Sequence, residues 1–353
     1  MTTLNTQLSQ LIDEQRDSLA VNIMERHYAV HPEFEERYGK KGRVKCLEDA
    51  NYHLTYLSEA IAASHPSLFA NYVAWAKVLL TGIGIPAQNL AENLEIVRDV
   101  LIEKLPEEMQ SLVNAYLDEG LTQLPLSPST LPTFFEEAEP HAELAQQYLD
   151  TLLRGERQRA SRLILEAVDK DKMSVKDIYL HVFQRSQYEI GRLWQMNQIS
   201  VAQEHYCTAA TQLIMSQLYA YIFATKRSDH TLVATCVGGD LHEIGVRMVA
   251  DFFEMEGWDT YYLGANMPTP SVLQELEERD AEVLAISATM TFHIRAVKEL
   301  ITAVRIHGLF QRVKIMVGGY PFNSEPTLWQ QIGADAYAPN AKEAIVVAST
   351  LVN

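Results

Sequence analysis

Cysteine is scarce. The 353-residue chain holds three, Cys46, Cys207 and Cys236, with no Cys-x-x-Cys pair among them. That excludes a disulfide framework and argues against a thiolate zinc site. A reducing compartment suits such a chain, and the expected localisation is cytoplasmic. The opening stretch, MTTLNTQLSQLIDEQRD, is polar and has no apolar core of a secretion signal. No apolar run approaches the ~18 residues of a membrane span, so no membrane partner is expected. Basic residues are also in deficit, with 29 Lys and Arg against 46 Asp and Glu, a formal charge of -17. Such a chain repels polyanions, so nucleic acid is not an expected partner. Internal repeats and low-complexity tracts are missing too.

What is present is an ordinary globular composition, long enough for two or three domains. Residues 1–122 read as all helix, over 5–29, 44–64, 67–81, 86–102 and 106–120. Apolar residues recur there at three- and four-residue spacing, as in Leu47, Ala50, Leu54, Leu57 and Ile61. Pro66 and Pro86 sit near helix starts, and Gly82 and Gly84 separate two helices. The Pro- and Ser-rich run at 122–133, TQLPLSPSTLPT, marks a linker, set at 123–139. Helical pattern resumes over 134–154, 156–169, 174–196 and 200–225, with Ser174 and Ser200 as helix caps. These predict a four-helix bundle at 140–228.

From 229 onward short β-rich runs alternate with helical ones. Strands are expected at Leu232–Val237, Thr260–Leu263, Val283–Thr289, Lys314–Val317 and Ala336–Ala338. Five strands separated by helices predict a doubly wound, Rossmann-like parallel sheet of flavodoxin-like type. The fold class is thus α + α/β. In such a sheet ligands lie beyond the C-terminal strand ends.

The motif of interest follows the first strand. Asp240-Leu241-His242-Glu243-Ile244-Gly245 comes directly after Gly238 and Gly239. This puts His242 on a loop at the ligand-binding end of the sheet. A neutral imidazole is a good ligand for cobalt and its neighbours. A carboxylate two residues earlier can accept the proton of the other ring nitrogen, which fixes the tautomer and raises ligand basicity. Gly245 lets the next helix start close to a bulky group. Ser287 and Thr289 are expected to close the third strand, and Gly318 and Gly319 the fourth, leaving a slot beside the sheet. A loop histidine capped by a local aspartate would show the same motif; the strand-end context favours the ligand.

With these residues in place, 230–353 resembles the cobalamin-binding Rossmann-like domain of methionine synthase and the mutases. That family's pattern is Asp-x-His-x-x-Gly, then Ser-x-Leu, then Gly-Gly. Here the middle element is Ser287-Ala288-Thr289, with Thr in place of Leu. The resemblance implies a cobalt corrinoid with His242 as lower axial ligand and Asp240 supporting it. It also implies that Ser287, Gly318 and Gly319 line the slot for the nucleotide tail, with Thr289 packing beside it.

A second constellation lies in the bundle. Trp194 is followed, nine residues on, by Glu204-His205. A short connection would bring a helix end and a helix start together, with one aromatic plate and two polar groups. This spacing resembles the CarH-type adenosylcobalamin photoreceptors over about residues 140–353. By resemblance, Trp194 packs on the deoxyadenosyl group while Glu204 and His205 supply polar contacts. Two departures stand out. Those repressors carry an N-terminal DNA-binding domain, and this chain has no basic recognition helix. The family's histidine after the tryptophan, which takes the upper cobalt position after light, is Gln195 here; His205 is the nearby substitute.

The N-terminal helices resemble a globin-like sensor module, and the whole chain resembles the photocobilins, which pair B12 with a bilin. Cys46, Asp49 and His53 fall at spacings of three and four, so one helix face can present all three. A bilin such as biliverdin would find there a carboxylate or imidazole for its pyrrole nitrogens and a thiol for attachment. The plainer alternative is a polar helix face with one buried cysteine. Tyr52, Tyr56, Tyr72 and Trp75 either line a planar chromophore or form ordinary core.

The implied function is a light sensor, not an enzyme. Adenosylcobalamin would sit between the bundle and the Rossmann-like domain, and light-driven cobalt–carbon cleavage would change homo-oligomer state or partner binding. The alternative is a corrinoid carrier for methyl transfer. A mutase would need a substrate barrel of about 250 residues, which this chain lacks.

Overall fold

The computed structural model describes residues 3–136, 139–170, 172–223, 226–308 and 312–352. The chain divides into two compact units, Met1–Thr130 and Leu131–Asn353. The first is built from α1 (Leu4–Val30), α2 (Glu33–Ala63), α3 (Pro66–Gly82), α4 (Ala87–Lys104) and α5 (Glu107–Leu126). Its core is the apolar stripe of each helix: Leu8, Ile12, Leu19 and Ile23 of α1 meet Leu54, Leu57 and Ile61 of α2, all buried. Gly120 lets α5 lie close to α3, since a Cβ there would stand 3.0 Å from Phe69 and Val73.

Two boundaries differ from expectation. Helix α2 begins at Glu33, well before residue 44, and bends at Gly39, whose φ of 54° breaks the helical path. Helix α5 runs through the expected linker start to Leu126, with Pro125 in its last turn. Buried Lys77 explains this: its Nζ donates to the carbonyls of Leu124 (2.8 Å) and Ser127 (2.6 Å), satisfying the open end of the helix. From Leu131 the expected linker belongs to the second unit. Phe134 N donates to Glu189 Oε2 at 2.9 Å, and Arg192 donates to the Leu131 carbonyl at 3.1 Å.

The second unit opens with α6 (Ala142–Leu153) and α7 (Arg157–Asp169), then α8 (Val175–Asp177), a π-helical segment (Ile178–Phe183), α9 (Gln184–Gln195), α10 (Val201–Gln217) and α11 (Tyr219–Ile222). The helix expected over 134–154 starts only at Ala142; positions 137 and 138 lie outside the described residues, as do 224 and 225 at the end of the helix expected over 200–225. The single helix expected over 174–196 is therefore interrupted by a π turn, whose Ile178, Tyr179, Val182 and Phe183 are buried. Ser174 and Ser200 cap as expected, each accepting an amide from three residues on, and Ser200 forms a full capping box with Gln203.

The sheet follows as β1 (Thr231–Val237), α12 (Ile244–Met255), β2 (Asp259–Met267), α13 (Thr269–Glu278), β3 (Val283–Ser287), α14 (Ile294–Ile306), β4 (Lys314–Gly318), α15 (Tyr320–Ser324), α16 (Leu328–Gln331), β5 (Ala336–Tyr337) and α17 (Ala341–Val352). Five parallel strands stand in the order β2-β1-β3-β4-β5, the flavodoxin-like arrangement. Thr289 is not part of β3, which stops at Ser287. The near end of β2 is irregular against β1, with Gly264 (φ 83°) and Asn266 (φ 53°) left-handed.

The bundle shares a core with this sheet domain: Met248 and Phe252 of α12 pack among Tyr148, Tyr179, Phe183, Ile214 and Leu218. At its centre the buried Asp251 accepts from Tyr179 (2.7 Å) and Tyr219 (2.8 Å). Among the described residues, no helix is long and apolar enough to cross a membrane.

Candidate functional site

Strand β1 delivers the chain to a tight turn at Gly239 (φ 88°), and the loop then leads into α12 at Ile244. Asp240 is fully buried. Its Oδ1 accepts from His242 Nδ1 at 2.8 Å and from the His242 amide at 3.0 Å. Its Oδ2 accepts from the Thr289 amide at 2.7 Å, with His293 Nδ1 at 3.4 Å. Burial alone would raise this carboxyl's pKa, but the bonds from His242, His293 and the two amides outweigh it and hold the group well below the usual range. The aspartate is therefore a fixed anion.

His242 is its complement. The bond to Asp240 raises the imidazole's pKa against the opposing effect of burial. Its side chain is 58% exposed, beside Leu241, an apolar residue 72% exposed at the loop tip. With Nδ1 committed to Asp240, Nε2 remains for a metal, and Leu241 is apolar surface suited to burial under a macrocycle. These residues fit a cobalt corrinoid, which His242 would hold through Nε2.

The surrounding strand ends are partly as expected. Gly245 faces open space, with nothing within 4 Å of a Cβ built there, consistent with a large neighbour on that side. Ser287 closes β3. Thr289 lies beyond the strand and contributes through its amide to Asp240, so its site role comes from the backbone. Gly318 and Gly319 were expected to leave a slot, but the space at their own Cβ positions is filled by neighbouring backbone. A Cβ on Gly319 (φ 105°) would fall 2.0 Å from the Ala288 carbonyl, and one on Gly318 would fall 2.9 Å from that of Ala338. These glycines let neighbouring strand ends touch.

Several residues of the site were not anticipated. Asn266 stitches the loop to β2: its Oδ1 accepts from the Gly239 amide at 2.7 Å, and its own amide donates to the Asp240 carbonyl at 2.9 Å. His293 shares Asp240 with His242. Glu243 bridges Gln212 of the bundle (2.7 Å) and Tyr262 of β2 (2.9 Å). No motif signalled Asn266 or His293, and Glu243 stood in the motif only as an unspecified position, because the role of each depends on where another element is placed.

In the bundle, Trp194 lies in the last turn of α9 and Glu204 and His205 in the first turns of α10, across the short Met196–Ser200 connection. Trp194 is half-buried, Gln195 is buried, and His205 is exposed. His205 Nδ1 pairs with Glu204. Glu204 also lies near enough to His242 to favour its charged form. Glu204 and the loop histidine thus belong to one neighbourhood.

In the N-terminal unit, Cys46, Asp49 and His53 share a face of α2, but their partners come from other helices. His53 Nδ1 is 2.8 Å from the Tyr72 hydroxyl, and Tyr72 stacks on Tyr56 at 3.8 Å between ring centres. Trp75 extends this stack, while Tyr52 is exposed. Cys46 Sγ lies 3.5 Å from His27 Nδ1, which also accepts from Asn93 Nδ2 at 2.9 Å. That makes His27 the Nε2–H tautomer. Among the described residues, His27 Nε2 and Asn93 Oδ1 are buried without a hydrogen-bond partner. Burial, then Asp49, pushes the Cys46 thiol up to about 11, and burial, then Glu48, raises Asp49 to about 6. A thiol so protonated is a poor nucleophile, which weighs against the expected attachment role.

Comparison with known proteins places this geometry. Residues 230–346 match the B12 binding domain family. Dimethylamine corrinoid protein 3 of Methanosarcina mazei is 32% identical over 122 residues, 34% of this chain and 71% of that protein. The chain belongs to the B12-binding corrinoid proteins. It binds cobalamin. Within this corrinoid protein, residues 144–219 match a second B12 binding domain model, so the bundle belongs to the same assembly. Dimethylamine corrinoid protein 2 of Methanosarcina mazei is 29% identical over 217 residues, 60% of this chain and 97% of that relative. The solved monomethylamine corrinoid protein of Methanosarcina barkeri aligns with a TM-score of 0.53 at 25% identity, covering 59% of this chain and 98% of that one. Residues 1–124 match a different family, the phycobilisome proteins.

Proposed function

We propose that this corrinoid protein is a B12-dependent light sensor, with His242 as the lower cobalt ligand and adenosylcobalamin held between the bundle and the sheet. Asp240 keeps His242 in the Nδ1–H tautomer with Nε2 directed at the metal. Gly245 admits the macrocycle, and Ser287, Thr289, Gly318 and Gly319 border the tail. Trp194 packs against the adenosyl group, and Glu204 and His205 hydrogen-bond it. The bound cofactor supplies the light-sensitive cobalt–carbon bond. Loss of the adenosyl group removes what the cap residues pack against, so the bundle shifts on the sheet domain and association between subunits changes.

The observation that carries this reading is Glu204, which pairs with His205 and lies near enough to His242 to favour its charged form. A carboxylate and an imidazole that pair with each other suit a polar nucleoside; a methyl group needs only an apolar cover. The phycobilisome-family match over residues 1–124 supports a second, bilin chromophore there. His27, Asn93, His53 and the Tyr72 stack would hold biliverdin without a thioether bond. The proposed division into a sensor region, bundle and sheet domain follows from this.

The second reading is a corrinoid carrier for methyl transfer, working with a methyltransferase. The relatives' names favour it more directly than they favour light sensing, since the matched proteins are methylamine corrinoid proteins. One experiment separates the two. The full chain, loaded with adenosylcobalamin in darkness, is followed by absorption and light-scattering chromatography under green light. The sensor predicts a spectral change together with a change of oligomer. No change of either kind, with methyl–cobalt turnover when a methyltransferase is added, establishes the carrier instead.

A further inference from the structure

A polar stripe joins the cap to the loop that carries His242. Glu204, Thr208, Gln212 and Ser216 recur every four residues along α10 and so share one face. The stripe is engaged along its length. Thr208 Oγ1 lies 3.3 Å from Glu204 Oε1. Gln212 Nε2 donates to Glu243 Oε1 at 2.7 Å, and Ser216 Oγ accepts from Arg247 at 2.8 Å. Glu243 follows His242 in the chain and precedes the first residue of α12. Its second oxygen accepts from Tyr262 of β2 at 2.9 Å. The sheet makes room for this carboxylate. Gly264, left-handed at a register shift between β1 and β2, would place a Cβ 3.2 Å from Glu243 Oε2. The residue adjoining His242 is therefore held from two sides, one of them the helix whose first turns carry the cap residues Glu204 and His205.

We propose that Glu243 is a positioning residue that carries the seating of the bundle to the lower cobalt ligand. While α10 is docked, Gln212 and Tyr262 clamp Glu243 and keep the His242 loop in register. A shift of α10 releases the Gln212 bond, the loop gains freedom, and the histidine–cobalt bond weakens. The two faces of the corrinoid are thereby coupled through protein. This rests on the reading of His242 as lower ligand, and the test separates the two.

The full chain is loaded with cob(II)alamin, and electron paramagnetic resonance measures the fraction with histidine on cobalt. His242→Ala is the control for the underlying reading: if it leaves the wild-type spectrum, that reading fails, whatever Glu243 does. With the control passed, Gln212→Leu should lower the histidine-on equilibrium about tenfold, in the range for loss of a group that orients a metal ligand. Gln212→Lys, which keeps a donor for Glu243, should stay near wild type. Gln212→Leu combined with Glu243→Gln should be no worse than Glu243→Gln alone. If Gln212→Leu does not fold, Tyr262→Phe takes its place and should also lower the fraction. A folded Gln212→Leu or Tyr262→Phe protein with the wild-type histidine-on fraction, or additive effects in the double variant, overturns the proposal.

Discussion

The Nδ1–H of His242 is held by Asp240 Oδ1 at 2.8 Å, from a carboxylate with no exposed surface. The pair is local in sequence but reaches its geometry through the amide of Thr289 and the ring of His293, which occupy the other oxygen. Asp240→Asn keeps the shape and removes the charge. Cobalamin affinity should fall 10–100-fold, roughly the cost of losing a carboxylate behind a metal-bound histidine. Isothermal titration with hydroxocobalamin measures it.

The same pair sets a pH dependence. The bond to Asp240 raises the pKa of His242, so its imidazolium persists to higher pH than that of an ordinary histidine. Proton and metal compete for the ring. Histidine-on cobalamin should therefore be lost at acid pH, with a midpoint below that raised pKa because cobalt competes with the proton, and His242→Ala should abolish the transition. A visible-absorption titration of the loaded chain follows both.

Trp194→Ala tests the cap. The substitution should narrow the preference for adenosylcobalamin over methylcobalamin by roughly tenfold, the scale of one aromatic contact of about 1–1.5 kcal/mol. Competition binding in darkness reads the ratio. Equal affinities in the wild type would count against any nucleoside-specific cap.

Gly319→Ala should be strongly destabilising. The left-handed φ and the collision with the Ala288 carbonyl both oppose a side chain, at about 2–4 kcal/mol. Urea denaturation should show a lower midpoint with an unchanged slope.

The N-terminal unit carries its own pH signature. Burial pushes His27 and His53 down to about 4. Each contributes stability that is present above the ordinary histidine range and lost as pH falls through about 4, on the order of 3 kcal/mol apiece at most. Asp49 acts in the opposite sense. Raised to about 6 by burial, it removes stability as pH rises from the ordinary carboxylate range through that value, so Asp49→Asn should raise the melting temperature most at pH 8 and roughly half as much at pH 5. Thermal melts of wild type, His27→Gln and Asp49→Asn across this range check the signs.

Much of this was legible in the chain because the signals are short-range. Ser174 and Ser200 announce their helices, and alternation of β-rich and helical runs predicts the parallel sheet. Asp240 and His242 are two residues apart, so their bond needs only the turn between them. The hidden parts depend on distant neighbours. Asn266, Tyr262 and His293 reach the loop only after β1, β2 and β3 are aligned. The tight packing that requires Gly319 appears only when β3 and β4 lie side by side. Cys46 reads as an attachment thiol within α2, yet its chemistry is decided by His27, Asp49 and burial. The π turn at 178–183 left no mark in the apolar spacing, which continues through it.

The account stands on the imidazole of His242 as the lower ligand of cobalt. Electron paramagnetic resonance of the full chain loaded with cob(II)alamin, grown with and without 15N-labelled histidine, tests this directly. The account predicts that each cobalt line, split in three by an axial 14N, becomes split in two with the label. Splitting in three that persists with labelled histidine would show the cofactor's own base on the metal and contradict it.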